Sequence, residues 1–214
     1  MKLKKEFPIL LIALSPIIYL ALIWNNLPDT VPVHWNHKGE IDRYGSKTTL
    51  LYIALLMPLI LYALFLLIPK IDPKKQIAKM GGKFQKLRFI ITVFISITTI
   101  YIIYATKTMS LFNQNFMILL VGGLFLIFGN YFKTISPNYF IGIRTPWTLK
   151  NETVWKETHN VGGKLWFIGG LTLLVTGLVF SKSNYIVFIA ITTILIVVPI
   201  IYSYLRFKKI TNED

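Results

Sequence analysis

Three groups of residues in this chain have the types and spacing for chemistry. His34, Trp35, Asn36, His37, Gly39, Glu40 and Asp42 crowd into one short polar segment. Two imidazoles three positions apart beside two carboxylates are zinc-ligand types, but their spacing matches none of the recurrent zinc patterns. No metal is therefore expected. Asp42 and Arg43 are expected to make local polar contacts, and Trp35 to settle at a membrane interface. The second group is Asn138-Tyr139-Phe140-Ile141-Gly142-Ile143-Arg144-Thr145-Pro146-Trp147. The Arg144 guanidinium suits a phosphate, a lipid headgroup or a partner carboxylate, and equally suits the carbonyls of a helix end. The third group is Trp155, Thr158 and His159. A threonine beside a histidine becomes a nucleophile only with an orienting third group, and none assembles here. The chain is read as a non-enzyme without cofactor. Cysteine is absent, which excludes disulfides, thiolate metal sites and cysteine nucleophiles.

These groups are held by a very apolar chain. Of 214 residues, 54% are apolar and 15% charged, and the mean hydropathy is +0.59, which places the chain in the membrane class. Six apolar runs approach the length of a bilayer core: 7–24, 50–68, 89–105, 116–132, 165–180 and 185–205. The first is too long for a signal sequence and lacks a small-residue cleavage site, so it is read as a retained helix kinked at Pro16. Of the lysines and arginines, eighteen fall in the two tails and the loops 69–88 and 133–164, and five on the opposite side. That bias puts both termini in the cytoplasm, the 31–47 cap outside and the 138–147 segment inside. It also accounts for the net charge of +14 without nucleic acid.

The loops carry helix signals of their own. Asp72-Pro73 reads as a cap opening a basic interfacial helix through Ile77, Met80, Phe84 and Leu87, interrupted at Gly81-Gly82. Asn36 to Gly39 reads as a turn, and Ser46 as the cap of the second span. Asn151 is expected to cap a helix running to about Asn160 and stopped by Gly162-Gly163. Small and hydroxyl residues recur on helix faces, including Gly170 and Gly177 seven apart, which predicts close helix packing. No acidic residue, basic residue or histidine falls inside a predicted span. That counts against proton-coupled transporters and intramembrane proteases.

His34-Trp35-Asn36, Gly39, Asp42 and Lys47, taken with Asn138 through Thr148, resemble one family. The resemblance continues through Trp155, Thr158, His159 and Gly163-Lys164. It is to the SdpI-like immunity proteins for the sporulation-delaying peptide toxin of Gram-positive bacteria. It implies an all-α integral membrane protein of the cell membrane that protects its producer against a secreted, membrane-active peptide. Two modules are then expected: an N-terminal transmembrane hairpin with its extracellular His-Trp-Asn segment over 1–68 and a C-terminal transmembrane module over 115–214, joined by a basic cytoplasmic loop and third helix over 69–114. Partners would be membrane lipids, the peptide toxin outside and a cytosolic repressor inside, with no direct nucleic acid. The alternative is a small membrane transporter, or a membrane enzyme acting on a lipid or peptide.

Overall fold

The apolar runs fold into helices that extend well beyond them. The computed structural model describes residues 3–36, 38–73, 75–110, 115–180 and 185–213. Its long helices are α1 (Leu3–Ile23), α2 (Thr48–Ile71), α4 (Gly82–Thr108), α7 (Glu152–Val179) and α8 (Tyr185–Glu213). Five helices are long and apolar enough to cross a membrane, and α5 (Phe116–Phe132) is a shorter apolar helix. The protein is an all-α multi-pass membrane protein with one small addition, an antiparallel hairpin of β1 (Thr30–Trp35) and β2 (Ile41–Ser46). Two compact units form, one of residues 1–70 and 81–114, the other of 71–80 and 115–214.

In the first unit, α1 packs along α4, and Leu20, Ile23, Val31, Leu50, Ala54 and Ile103 belong to one buried cluster. Pro16 removes the amide that would have bonded the Ile12 carbonyl. That carbonyl instead accepts from the Ser15 hydroxyl at 2.7 Å and from Ser96 of α4 at 2.9 Å. The kink thus supplies an acceptor that ties two helices together. The expectation that no ionisable group enters a span needs correction. The longer helices bring Glu6 of α1 and Arg88 of α4 together in a buried pair, with Arg88 Nη2 2.7 Å from Glu6 Oε2 and Nη1 3.1 Å from Oε1. The Tyr62 hydroxyl of α2 donates to the same carboxylate at 3.1 Å. Both charges lie just beyond the apolar runs, where helical periodicity continues but hydropathy does not.

The loop after α2 also differs from its sequence reading. α3 is a single turn, Gln76–Lys79, preceded by Lys75 in the left-handed region at φ 51°. Asp72 does not sit at its cap; its Oδ2 accepts from the Ile77 amide at 2.8 Å, spanning the whole turn. The break at Gly81-Gly82 is present, with Gly81 at φ 52° before α4 begins.

In the second unit, α5 lies against α7 along a seam of glycines seven residues apart. A Cβ on Gly129 would meet the Phe167 nitrogen at 2.3 Å, and one on Gly170 would meet the Leu126 nitrogen at 2.5 Å. A Cβ on Gly163 would meet the Gly129 carbonyl oxygen at 2.8 Å. The seven-residue repeat keeps these glycines on one stripe, so the two backbones nearly touch. This corrects the expected helix stop at Gly162-Gly163: α7 runs straight through both. In water a glycine pair weakens a helix, but here their missing side chains create the contact surface. α8 packs on α7, and its Pro199 frees the Leu195 carbonyl, which accepts the Trp166 indole N–H at 3.0 Å. Asn115 closes the seam by donating Nδ2 to the Gly177 and Phe180 carbonyls at the far end of α7.

Candidate functional site

The hairpin of the first unit gathers His34, Trp35, Asn36, Gly39 and Asp42; His37 lies outside the described residues. Asn36 builds the turn. Its Oδ1 accepts from the Lys38 amide at 2.8 Å and the Glu40 amide at 3.1 Å, and its Nδ2 donates to Glu40 Oε2 at 2.9 Å. An asparagine side chain standing in for a main-chain carbonyl is the usual chemistry of such turns. Gly39 takes φ 80°, as the turn reading required. The strands then pair from Trp35↔Ile41 to Thr30↔Ser46, with register shifts on either side of His34. Those irregularities bring His34 Nδ1 within 2.6 Å of Asp42 Oδ1 across the strands. Both side chains remain substantially exposed. The Trp35 indole N–H is covered and has no partner among the described residues.

The base of the hairpin is tied to its helices. Lys47 donates its main-chain N–H to the Asp29 carbonyl at 2.9 Å, and its ammonium lies 2.9 Å from the Asp29 carboxylate. The ammonium's hydrogen bond to that carboxylate, and then its charge, hold the Asp29 carboxyl below the usual carboxylate range. The same ammonium sits 5.2 Å from the centre of the Trp24 ring. The Thr106 hydroxyl of α4 donates to the Pro32 carbonyl at 3.3 Å. Ser46 ends β2 rather than occupying the cap position, which falls to Lys47 because α2 begins at Thr48; its Oγ accepts the Thr48 amide at 3.3 Å.

In the second unit, the loop after α5 folds around Asn138, which is buried and makes four hydrogen bonds. Its Nδ2 donates to the Ser136 and Ile141 carbonyls, and its Oδ1 accepts from the Phe140 and Ile141 amides, all within 3.0 Å. All the side chain's hydrogen-bonding capacity serves to shape the backbone. Gly142 follows at φ 112°, and a Cβ there would fall 2.4 Å from His159 Nε2. Only glycine lets the loop pass over that ring. The next amide, Ile143, donates to His159 Nε2 at 2.9 Å, while His159 Nδ1 bonds the Trp155 carbonyl at 2.8 Å. A carbonyl accepts only, so Nδ1 carries the proton and Nε2 the lone pair. Neither nitrogen is left for a substrate. The imidazole is a strut between loop and helix.

The remaining motif residues extend this strut. Trp155 is fully buried, stacks on His159 at 4.1 Å and donates its indole N–H to the Ile135 carbonyl at 2.8 Å. Val154, Trp155 and Thr158 are all buried within the protein. The Thr158 hydroxyl has no partner among the described residues. Thr145 begins α6 (Pro146–Lys150) with a reciprocal cap: it accepts the Thr148 amide while its own amide bonds the Thr148 hydroxyl at 2.9 Å. Pro146 occupies the first helical position, where its missing N–H costs nothing. The Thr145 hydroxyl also meets Ser203 of α8 at 3.0 Å, and Trp147 rests on Tyr204 at 5.1 Å. Asn151 caps α7 through the Val154 amide at 3.1 Å. Arg144 is exposed and turns back to donate Nη1 to the Tyr139 carbonyl.

Sequence reasoning found the loop's members but not their supports. Glu157 on α7 is bonded by both Nε and Nη2 of Arg206 on α8, and nothing in local spacing pairs residues so far apart. Asn115 was equally silent. The glycine seam had a signal, the seven-residue spacing from Gly170 to Gly177, which continues back to Gly163.

Residues 134–203 match the SdpI/YfhL protein family, and residues 11–62 match a domain of unknown function, DUF1648. The chain is 28% identical to Immunity protein SdpI of Bacillus subtilis (strain 168), over 98% of this chain and 99% of that protein. No solved structure matches it. The resemblance to the SdpI-like immunity proteins therefore extends over nearly the whole length, with each motif lying in one of the two matched regions.

Proposed function

We propose that this chain is a membrane immunity protein that protects the cell carrying it against a secreted, membrane-active peptide, without catalysis. The observation that supports the reading is the end-to-end similarity to an immunity protein, in a chain built as a multi-pass membrane protein. In this reading the N-terminal module, 1–68, presents the His34–Asp42 hairpin outside, as the excess of positive charge on the other side requires. The exposed His34 and the half-buried Trp35 ring are the groups it offers to a peptide. The C-terminal module, 115–214, places the Asn138–Trp147 loop inside, where the exposed Arg144 addresses a cytosolic regulator. The segment 69–114 contributes the basic loop and the third helix, α4, which packs on α1 in the first unit.

Expression in a toxin-sensitive Gram-positive host, followed by challenge with purified peptide, tests this. The wild-type chain should restore growth, and a Trp35→Ala/Asn36→Ala variant that still reaches the membrane should not. Arg144→Ala should keep protection and lose any transcriptional response. Growth no better than that of the empty host would sink the immunity reading.

A further inference from the structure

The second unit contains a cleft of about 340 Å³ between the end of α5 and the first turns of α7. Its floor is apolar, made by Phe132 and Ile135, and its rim carries Lys133, Lys156 and the Asn160 amide. His159 forms part of the wall but brings no charge or free nitrogen, since both its nitrogens bond the backbone. Glu157 also lines the cleft, but its carboxylate is engaged by the Arg206 guanidinium. Among the described residues Lys156 pairs only with Glu152, one helical turn away at 3.0 Å, with both side chains about two-thirds exposed. Such a pair is weak and exchanges readily. Lys133 makes no ion pair among the described residues, and its stem runs along Gly163. The rim is therefore a net cationic site above an apolar floor.

Two separate lengths set the depth of this cleft in a bilayer. α7 has 28 residues, about 42 Å, against a hydrocarbon core of about 30 Å. Its charged residues Glu152, Lys156, Glu157 and Lys164 all precede Leu165, so the excess of roughly 12 Å falls mainly on the first turns, which carry Lys156 and Asn160. α5 has 17 residues, about 26 Å, and ends at Phe132, so Lys133 follows at the core's edge. Both measures place the two ammonium groups at headgroup level.

We propose that this cleft binds the phosphate of an anionic phospholipid headgroup, between the Lys133 and Lys156 ammonium groups, with the Asn160 amide as a third donor and the acyl-chain root against Phe132 and Ile135. An ammonium pair at the interface recognises phosphate as point charges, and a basic pocket between membrane helices is the setting in which such headgroups are held. The inference is independent of the immunity reading.

The full chain, embedded in nanodiscs of mixed phosphatidylglycerol and phosphatidylcholine, would be released into native mass spectrometry to count retained lipid. The wild-type protein should retain phosphatidylglycerol over phosphatidylcholine. Lys133→Gln and Lys156→Gln should each weaken that retention about fivefold, with Lys133→Arg restoring it and Lys107→Gln leaving it unchanged. Both lysines are exposed, and unchanged thermal unfolding of the variants would show that folding is intact. Equal retention of the two lipids, or undiminished retention in the double glutamine variant, would overturn the proposal. Displacement by millimolar inorganic phosphate without lipid preference would assign the site to a soluble phosphate instead. Capture of an acidic peptide alone would count against it as well.

Discussion

Replacing Gly129 with alanine tests whether the α5–α7 seam is as close as described. The added methyl would stand 2.3 Å from the Phe167 nitrogen, 2.7 Å from the Gly163 carbonyl oxygen and 2.8 Å from Phe167 Cα. All three are backbone atoms, so no side chain can rotate away. Ordinary contact begins near 3.4 Å, so the helices must separate by about 1 Å at this point. A gap of that size forfeits roughly a quarter to a half of each dispersion contact along the seam. The cost should reach the upper end of the overpacking range, about 3 kcal/mol. Gly123 provides the control: it lies on the same helix, and a Cβ there meets nothing within 4 Å. Gly123→Ala should be neutral or stabilising by about 0.5–1 kcal/mol, since alanine is the better helix former. Reversible unfolding in mixed micelles, followed by circular dichroism, reads both variants against the wild type. Equal midpoints for Gly129→Ala and Gly123→Ala would refute the backbone-to-backbone seam.

Two further outcomes are expected from the same assay. Glu6→Gln should destabilise the protein by about 3–5 kcal/mol, because it leaves the buried Arg88 charge uncompensated; a Glu6→Gln/Arg88→Met double variant should recover most of this. No loss in the single variant would mean that the pair is not formed. Trp166→Phe should cost about 1–2 kcal/mol by orphaning the Leu195 carbonyl, and less in a Pro199→Ala background, where the restored main-chain amide takes over that acceptor. Strict additivity of the two substitutions would count against the proline-freed carbonyl as the reason for the indole contact.

The spans were legible because hydropathy reports the lipid-facing length of a helix directly. Their ends were not, since a helix continues as long as its backbone is satisfied, whatever its side chains prefer; hence Glu6 and Arg88 were placed outside the spans that contain them. Gly39 and Asn151 were readable because each acts on its own local backbone. Gly162-Gly163 misled for the opposite reason. Their consequence depends on the helix across the seam, which local sequence does not contain. His159 was picked out, but its role as a two-sided acceptor and donor rests on Gly142 leaving room for the loop to reach it. Arg144 was left between two readings, and the loop carbonyl of Tyr139 proves to be its internal partner.

The uninterrupted course of α7 has a mechanical consequence. With no proline and no left-handed residue between Glu152 and Val179, it contains no joint. A tilt of about 5° about its middle would displace each end by about 2 Å, in opposite directions, over a length of some 42 Å. Trp155 and His159 ride on one end of this lever, and the Gly177 and Phe180 carbonyls held by Asn115 are at the other. A push on the loop motif is therefore also a pull on the distant helix end, and neither can be moved while the other stands still.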